Sequence, residues 1–250
     1  MIEERVAAAV GRPVRSLRRI QTRGYAQAFH AITEFDDGST AFVKAGAEDV
    51  TSEFLRQEIR FYEAVQGSFM PTLLGYDAGS PPVLVIEDLS AARWPPPWDG
   101  GAIDAVRATL GAVWSTPAPS WVPPITEDRE KFVGGWAEIE RDPAPFLSLG
   151  AWSAGWLDEC LPTLRAAAER APIEGDALLH LDVRSDNLCL ADRGAVLVDW
   201  NFVHLGNPDL DIAGWAASLH LEGGPPHTSS FRTRVGWLPC SPDSSRRAQG

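Results

Sequence analysis

Lysine is almost missing from this chain. Lys44 and Lys131 are its two lysines, set against 20 arginines in 250 residues. Cysteine is scarce as well: Cys160, Cys189 and Cys240 lie far apart, are odd in number and form no C-x-x-C pair. That suggests neither a disulfide framework nor a cysteine zinc site, and the thiols read as buried or incidental. No run of about 18 apolar residues occurs, so no membrane-spanning helix is expected. The opening Met1-Ile2-Glu3-Glu4-Arg5 lacks the basic start and apolar stretch of a signal peptide, which points to the cytosol. Positive charge is outweighed, for a net −12. An acidic surface argues against nucleic acid as a partner, because phosphate backbones need a basic face. The same acidity suits a cationic substrate or simple solubility. No internal repeat is present.

What remains is an ordinary globular composition, 44% hydrophobic and 22% charged, long enough to build one large domain or two lobes with real cores. Residues 1–10 read as a short amphipathic helix ending near Gly11. Val14–Ile20 reads as a strand, Thr22–Ala28 as a turn-like link, and Phe29–Phe35 as a second strand. Asp36-Asp37-Gly38-Ser39 is a hairpin turn signal, with Thr40–Ala45 returning. Thr51–Gln66 has helical spacing with Phe54, Phe61, Tyr62 and Val65 on one face, and Gly67 is placed to close it.

Pro82-Val83-Leu84-Val85-Ile86 is wholly apolar and reads as a buried strand. Beyond it the character changes. Arg93–Gly100 is rich in Pro and Trp and reads as a surface loop. Helices are expected at about 101–115, 129–140, 152–171 and Asp209–Leu221, separated by Pro and Gly breaks. Leu188–Leu190 and Ala195–Val198 read as two short strands around Asp192-Arg193-Gly194. Residues 225–250 turn Pro-, Ser- and Arg-rich with no apolar period, and read as a loosely ordered tail. The order is strands plus one helix, a short linker, then a mostly helical part. This α+β pattern implies two lobes with a cleft between them, an arrangement suited to a nucleotide.

The chemistry concentrates in His180-Leu181-Asp182-Val183-Arg184-Ser185-Asp186-Asn187, of the form H-x-D-x-x-x-x-N, and in Leu197-Val198-Asp199-Trp200-Asn201. Asp199 follows Asn187 by twelve residues, at the end of an apolar strand. Phosphoryl transfer needs these residue types. A carboxylate must orient the acceptor hydroxyl and take its proton, and Asp182 suits that task. Magnesium must bridge nucleotide phosphates and prefers oxygen ligands, which Asn187 and Asp199 supply. A cation near the transferring group offsets its charge, and Arg184 is the candidate. His180 reads as a brace for the loop.

With these motifs the chain resembles the aminoglycoside phosphotransferase family, which shares the protein-kinase-like fold. That family's loop is usually H-G-D-x-x-x-x-N, so Leu181 stands where Gly is usual. The resemblance covers about residues 14–222. It implies a bilobal kinase-like fold: an N-terminal lobe over 1–86, a hinge at 87–92, a helical catalytic lobe over 93–224 and an atypical tail from 225. It implies ATP or GTP as co-substrate, Mg²⁺ as cofactor and a small-molecule hydroxyl as acceptor. Asp182 would be the base, and Asn187 and Asp199 the metal ligands.

Thr40–Ala45 has the form of the strand that carries the phosphate-contacting lysine, here Lys44. Its carboxylate partner is expected to be Glu58, inside the apolar stripe of its helix, with Glu53 as runner-up. Backbone amides near Gly24 and Tyr25 are candidates for facing the phosphates, although G-x-G-x-x-G is missing. Glu87 and Leu89 would supply hinge backbone groups to the base. Asp211, in Gly206-Asn207-Pro208-Asp209-Leu210-Asp211, is expected to cap a helix and brace the catalytic loop.

The acceptor stays open. Acidic residues suit an amine, and the Trp94/Trp98 loop suits an apolar body or a quaternary amine, or else simply packs. A protein kinase is disfavoured, since Asp199 is followed by Trp200-Asn201 rather than Phe-Gly and no A-P-E follows. The other reading is an inert nucleotide-binding relative. It is motivated by the change of composition near Pro225, which suggests a truncated or frame-altered chain with apolar surface exposed on the second lobe.

Overall fold

The structure is a computed structural model that describes residues 1–20 and 28–225. Gly24 and Tyr25, and all but the first residue of the expected tail, lie outside the described residues.

Helix α1 (Ile2–Val10) ends on Gly11, whose φ of 71° is the left-handed turn that glycine tolerates. Five strands follow in one antiparallel sheet: β1 (Val14–Arg19), β2 (Phe29–Phe35), β3 (Thr40–Ala45), β4 (Leu73–Asp77) and β5 (Val83–Glu87), in the spatial order β1-β2-β3-β5-β4. Helix α2 (Asp49–Ala64) lies between β3 and β4 in the chain.

The uniform apolarity of β5 has a simple cause. Val83 and Val85 face a cluster with Val6 of α1, Ala31, Phe35, Ala41 and Val43. Leu84 and Ile86 point the other way, into a second cluster with Leu55, Ile59 and Tyr62 of α2. Period-2 alternation places successive side chains on opposite faces, and both faces are covered.

That second cluster runs on without a break into the helical part. It takes in Ile103, Val106, Leu110 and Val113 of α3 (Gly100–Trp114), and Ile212, Trp215 and Leu219 of α8 (Asp209–Leu221). Between these helices come α4 (Arg129–Val133), α5 (Gly135–Arg141), α6 (Ala144–Ser148) and α7 (Ala154–Glu169). Two small antiparallel ladders complete the lobe: β6 (Ala177–Leu179) with β9 (His204–Gly206), and β7 (Leu188–Ala191) with β8 (Gly194–Leu197). Among the described residues, no helix is long and apolar enough to cross a membrane.

Several expectations need correction. Gly67 does not close α2. The helix stops at Ala64, and Val65 turns extended at φ −128° so that its side chain reaches the core. The single helix expected over 129–140 is broken at Gly134, where a β-carbon would sit 2.3 Å from the Glu130 carbonyl oxygen. Strands β4 and β9 were not anticipated. Both are short, and β4 carries a glycine that lets α1 approach, a β-carbon on Gly75 falling 2.2 Å from the Ala9 carbonyl.

The Pro/Trp loop is packed rather than merely laid on the surface. Trp98 joins the main cluster 5.8 Å from the Trp215 ring, and the Trp94 indole donates to the Leu89 carbonyl at 3.1 Å. Asp211 is no helix cap, since α8 has Pro208 at that position and no side-chain cap bond.

Candidate active site

The two motifs of the helical lobe meet the lysine strand of the sheet. Lys44 Nζ donates to both oxygens of Glu58, at 2.8 and 2.9 Å, and to Asp199 Oδ1 at 3.1 Å. Glu58 lies one turn before Tyr62 on the buried face of α2 and is 1% exposed. Glu53, the alternative partner, is exposed and pairs locally with Arg56. Burial alone would push the Lys44 ammonium down. Asp199 and Glu58 together overcome that and hold it above its ordinary value. The Lys44 charge in turn draws the Asp199 carboxyl below its usual range, against burial. Removing either member of the buried Lys44–Glu58 pair typically costs about 3–5 kcal/mol, because the remaining charge stays desolvated.

Asp182 sits in the loop between β6 and β7. Asn187 Nδ2 donates to its carbonyl at 3.1 Å and to its Oδ2 at 2.7 Å. With the nitrogen so engaged, the carbonyl oxygen is the Asn187 atom able to meet a cation. Arg184 Nε forms ion pairs with Asp182 Oδ1 at 3.0 Å and Asp186 Oδ1 at 3.2 Å, so the guanidinium serves its own loop. Burial raises the Asp182 carboxyl, with the Asp199 charge adding to the effect and Arg184 opposing it. A carboxylate raised in this way is a better proton acceptor.

Asp199 and Leu181 both adopt left-handed backbone, with φ of 69° and 63°. The second value gives a physical reason for glycine to be usual at that position, since a β-carbon there costs about 1–2 kcal/mol. Leu181 is held in place because its N–H donates to Asp211 Oδ1 at 2.7 Å. Asp211 Oδ2 also accepts the His180 N–H at 3.2 Å and the Trp114 indole N–H at 2.9 Å. The bracing role of Asp211 is therefore present without the capping role.

His180 is fully buried and crosses from one motif to the other. Its Nδ1 accepts the Asp182 N–H at 3.2 Å, and its Nε2–H donates to the Val198 carbonyl at 3.0 Å. The ring lies edge-on to Trp200 at 4.5 Å, and Trp200 stacks on Phe61 of α2 at 4.8 Å. One nitrogen accepts and the other donates, so the neutral ring fits. Burial, accordingly, lowers its pKa from 6.5 to about 4. The unfolded chain then binds the proton more readily, so stability falls as pH drops from 6.5 towards 4, by about 3 kcal/mol for this residue. Urea titrations across that window are expected to show a shallower pH slope in His180→Gln than in the wild type. His30, also lowered to about 4, keeps its share of the slope in both proteins.

Two site neighbours escaped sequence reasoning. Asn201 Nδ2 donates to Asp199 Oδ1 at 2.6 Å, and its Oδ1 is buried with no hydrogen-bond partner. Phe42, half-buried and two residues before Lys44 on the same face of β3, lies 5.5 Å from the His30 ring. The signals were available, as an amide two residues after the metal-motif Asp and an aromatic two before the lysine.

At the end of β5, the Glu87 N–H donates to the Thr72 carbonyl at 2.9 Å, and its carboxylate accepts two 2.7 Å bonds from Arg193. The Leu89 carbonyl already accepts from Ala92 N and the Trp94 indole. The Glu87 N–H and the Leu89 carbonyl are thus engaged inside the protein.

The donor set fits a hard divalent cation. Among the described residues, no three His, Cys, Asp or Glu side chains converge on one point. One carboxylate plus amide oxygens, one of them the orphaned Asn201 Oδ1, suits an ion that takes its other oxygens from phosphate and water.

A sheet lobe covered on both faces, a helical lobe and this set of polar residues between them define a kinase-like phosphotransferase. The model of the phosphotransferase enzyme family (APH) matches residues 26–234, and the chain belongs to that family. It is a small-molecule kinase by that membership. Solved structures share the fold. A macrolide 2'-phosphotransferase type I aligns at TM-score 0.57 and 13% identity, over 88% of this chain and 81% of that one. The macrolide 2'-phosphotransferase of Brachybacterium faecium aligns at 0.58 and 13%, over 90% and 83%. An amicoumacin kinase in complex with AMP-PNP and Ca²⁺ aligns at 0.60 and 11%, over 90% and 70%. No curated protein matches the sequence.

Proposed function

We propose that the protein transfers the γ-phosphoryl group of ATP or GTP, with Mg²⁺, to a hydroxyl of a small molecule. The observation that carries this reading is the convergence of Lys44, Glu58 and Asp199, from three elements separated by up to 155 residues, next to the Asp182–Asn187 pair. Lys44, held by Glu58, donates to the nucleotide phosphates. Asp199 and the carbonyl oxygen of Asn187 hold the cation, with the Asn201 amide fixing the Asp199 carboxylate. Such a cation, when bound, would offset charge on the phosphate groups. Asp182 accepts the hydrogen bond of the acceptor hydroxyl, aims its oxygen and takes its proton as the new O–P bond forms and the bond from the γ-phosphorus to the departing nucleoside diphosphate breaks. Arg184 tempers the charge of Asp182 and Asp186 between turnovers. Contact of the backbone amides near Gly24 and Tyr25 with the phosphates belongs to the same proposal, although these residues lie outside the described ones, and Phe42 offers a flat apolar face to the base.

The lobe boundaries belong to the same proposal: 1–86, a hinge at 87–92 and 93–224. The acceptor class that belongs to this reading is an aminoglycoside-like or other amine-bearing small molecule that carries a hydroxyl. Trp98 is not assigned to it, because its ring packs against Trp215 in the main core at 5.8 Å. The reading is supported by the family membership and by the amicoumacin kinase solved with a nucleotide analogue and a divalent ion.

A thermal-shift titration tests it. ATP or GTP with Mg²⁺ is expected to raise the melting temperature, by an increment equivalent to about 2.7 kcal/mol at a hundred times the dissociation constant. No shift with either nucleotide, with or without Mg²⁺, rejects the reading in favour of an inert relative.

A further inference from the structure

One carboxylate reaches the catalytic loop from beyond the end of α8. Glu222 is the C-cap residue of that helix. Its Oε1 accepts the Ser185 hydroxyl at 2.5 Å, and its Oε2 accepts the Trp98 indole N–H at 2.9 Å. Both oxygens are therefore committed, and to segments 37 and 124 residues away in the chain.

The two arms differ in rigidity. Trp98 packs in the main core, against Trp215 of α8, and Asp99 beside it caps α3 by accepting the Ala102 N–H at 2.7 Å. That end is anchored. Ser185 instead sits in the turn closed by the Asn187 N–H on the Arg184 carbonyl at 3.0 Å. Val183 and Leu188 on either side are core residues, whereas Arg184 and Ser185 are partly exposed and Asp186 is exposed. Apolar packing thus fixes the ends of the 183–188 segment and leaves its apex to polar contacts. Ser185 lies between the two residues whose separation matters most, Asp182 and Asn187.

We propose that Glu222 is a positioning residue for phosphoryl transfer: by holding the Ser185 hydroxyl against the Trp98 anchor, it sets the Asp182–Asn187 turn in its working geometry. It touches neither substrate nor cation. The proposal rests on the Asp182 reading above. A displacement near 1 Å in such a turn is enough to cost about a hundredfold in rate.

The test uses the full chain and Mg-ATP, with water as the acceptor so that no unidentified acceptor is needed, and ADP release as the signal. Hydrogen exchange at the Arg184–Asn187 amides supplies a readout that does not depend on turnover. Glu222→Ala is expected to lower kcat by about ten- to a hundredfold, to leave the dissociation constant of Mg-ATP unchanged and to speed exchange in the turn. Ser185→Ala should match it, and the double variant should be no slower than either single one, because both remove the same link. Glu222→Gln restores kcat, since an amide can still accept from Trp98 and donate to the serine oxygen.

Wild-type kcat or unchanged exchange in Glu222→Ala overturns the proposal. Additive losses in the double variant, or no rescue by Gln, also overturn it. Asp182→Asn in the same series separates the two levels. If it hydrolyses ATP like the wild type, the Asp182 reading fails first. If it is slow while Glu222→Ala is not, Glu222 alone is misassigned.

Discussion

Asp199→Ala is expected to lose metal-dependent phosphoryl transfer, a drop of at least about three orders of magnitude in kcat. Asp199 is the carboxylate in the cluster that faces the opening, with 38% of its side chain exposed, while Glu58 is buried under Lys44. Its removal leaves Lys44 with both Glu58 bonds, so the fold should survive. Its backbone at φ 69° suits Asp or Asn better than Ala, and that adds a stability loss of about 1 kcal/mol to the Ala variant. Asp199→Asn avoids that cost and separates the two effects. Both variants should lose Mg²⁺-dependent turnover, and the Ala protein alone should melt early. Magnesium-dependent turnover at the wild-type rate in either variant would remove Asp199 from the mechanism.

Asp182→Asn is expected to lower kcat by about two to four orders of magnitude while nucleotide affinity stays the same. The amide keeps the shape of the carboxylate and cannot take the acceptor proton. Arg184 retains Asp186, so the loop keeps its cation. The pH profile gives a second reading. Burial raises the Asp182 carboxyl, so the acid limb of kcat should lie above the ordinary aspartate value, and kcat should fall as pH drops through it. A raised carboxyl binds its proton more tightly in the folded state. This residue therefore contributes stability that is present at low pH and lost as pH rises through its folded-state pKa, the opposite sign from His180. A loss of rate towards acid, read where the protein is still folded and absent in Asp182→Asn, is the expected pattern. Wild-type kcat in that variant would reject the base assignment.

How much of this could be read in advance depended on how local the cause was. The hairpin β2–β3 was legible to the residue, because Asp36-Asp37-Gly38-Ser39 is a turn signal between two apolar runs and Gly38 does adopt φ 82°. Helix α8 was equally legible from its apolar content and the break before it. The ends of α2 and the division at Gly134 were not. Val65 leaves the helix because the core offers it a place, and Gly134 is required by the approach of the Glu130 carbonyl. Strands β4 and β9 exist because a neighbouring strand was waiting for them, β5 for one and β6 for the other.

The sequence alone determined α1, the β2–β3 hairpin and β5 of the N-terminal lobe, the two polar motifs around Asp182 and Asp199, and the pairing of Lys44 with Glu58. Each is encoded in short-range spacing or in the oddity of a charge within an apolar stripe. Tertiary structure decided what those residues do with their hydrogen bonds. That Asp211 braces His180 and Leu181 instead of capping, that Arg184 turns to its own loop, that Arg193 clamps Glu87 and that Glu222 reaches Ser185 all depend on contacts across tens of residues. Such contacts are set by how the core closes, because a polar side chain inside a packed interior takes whichever partner the apolar packing brings within reach.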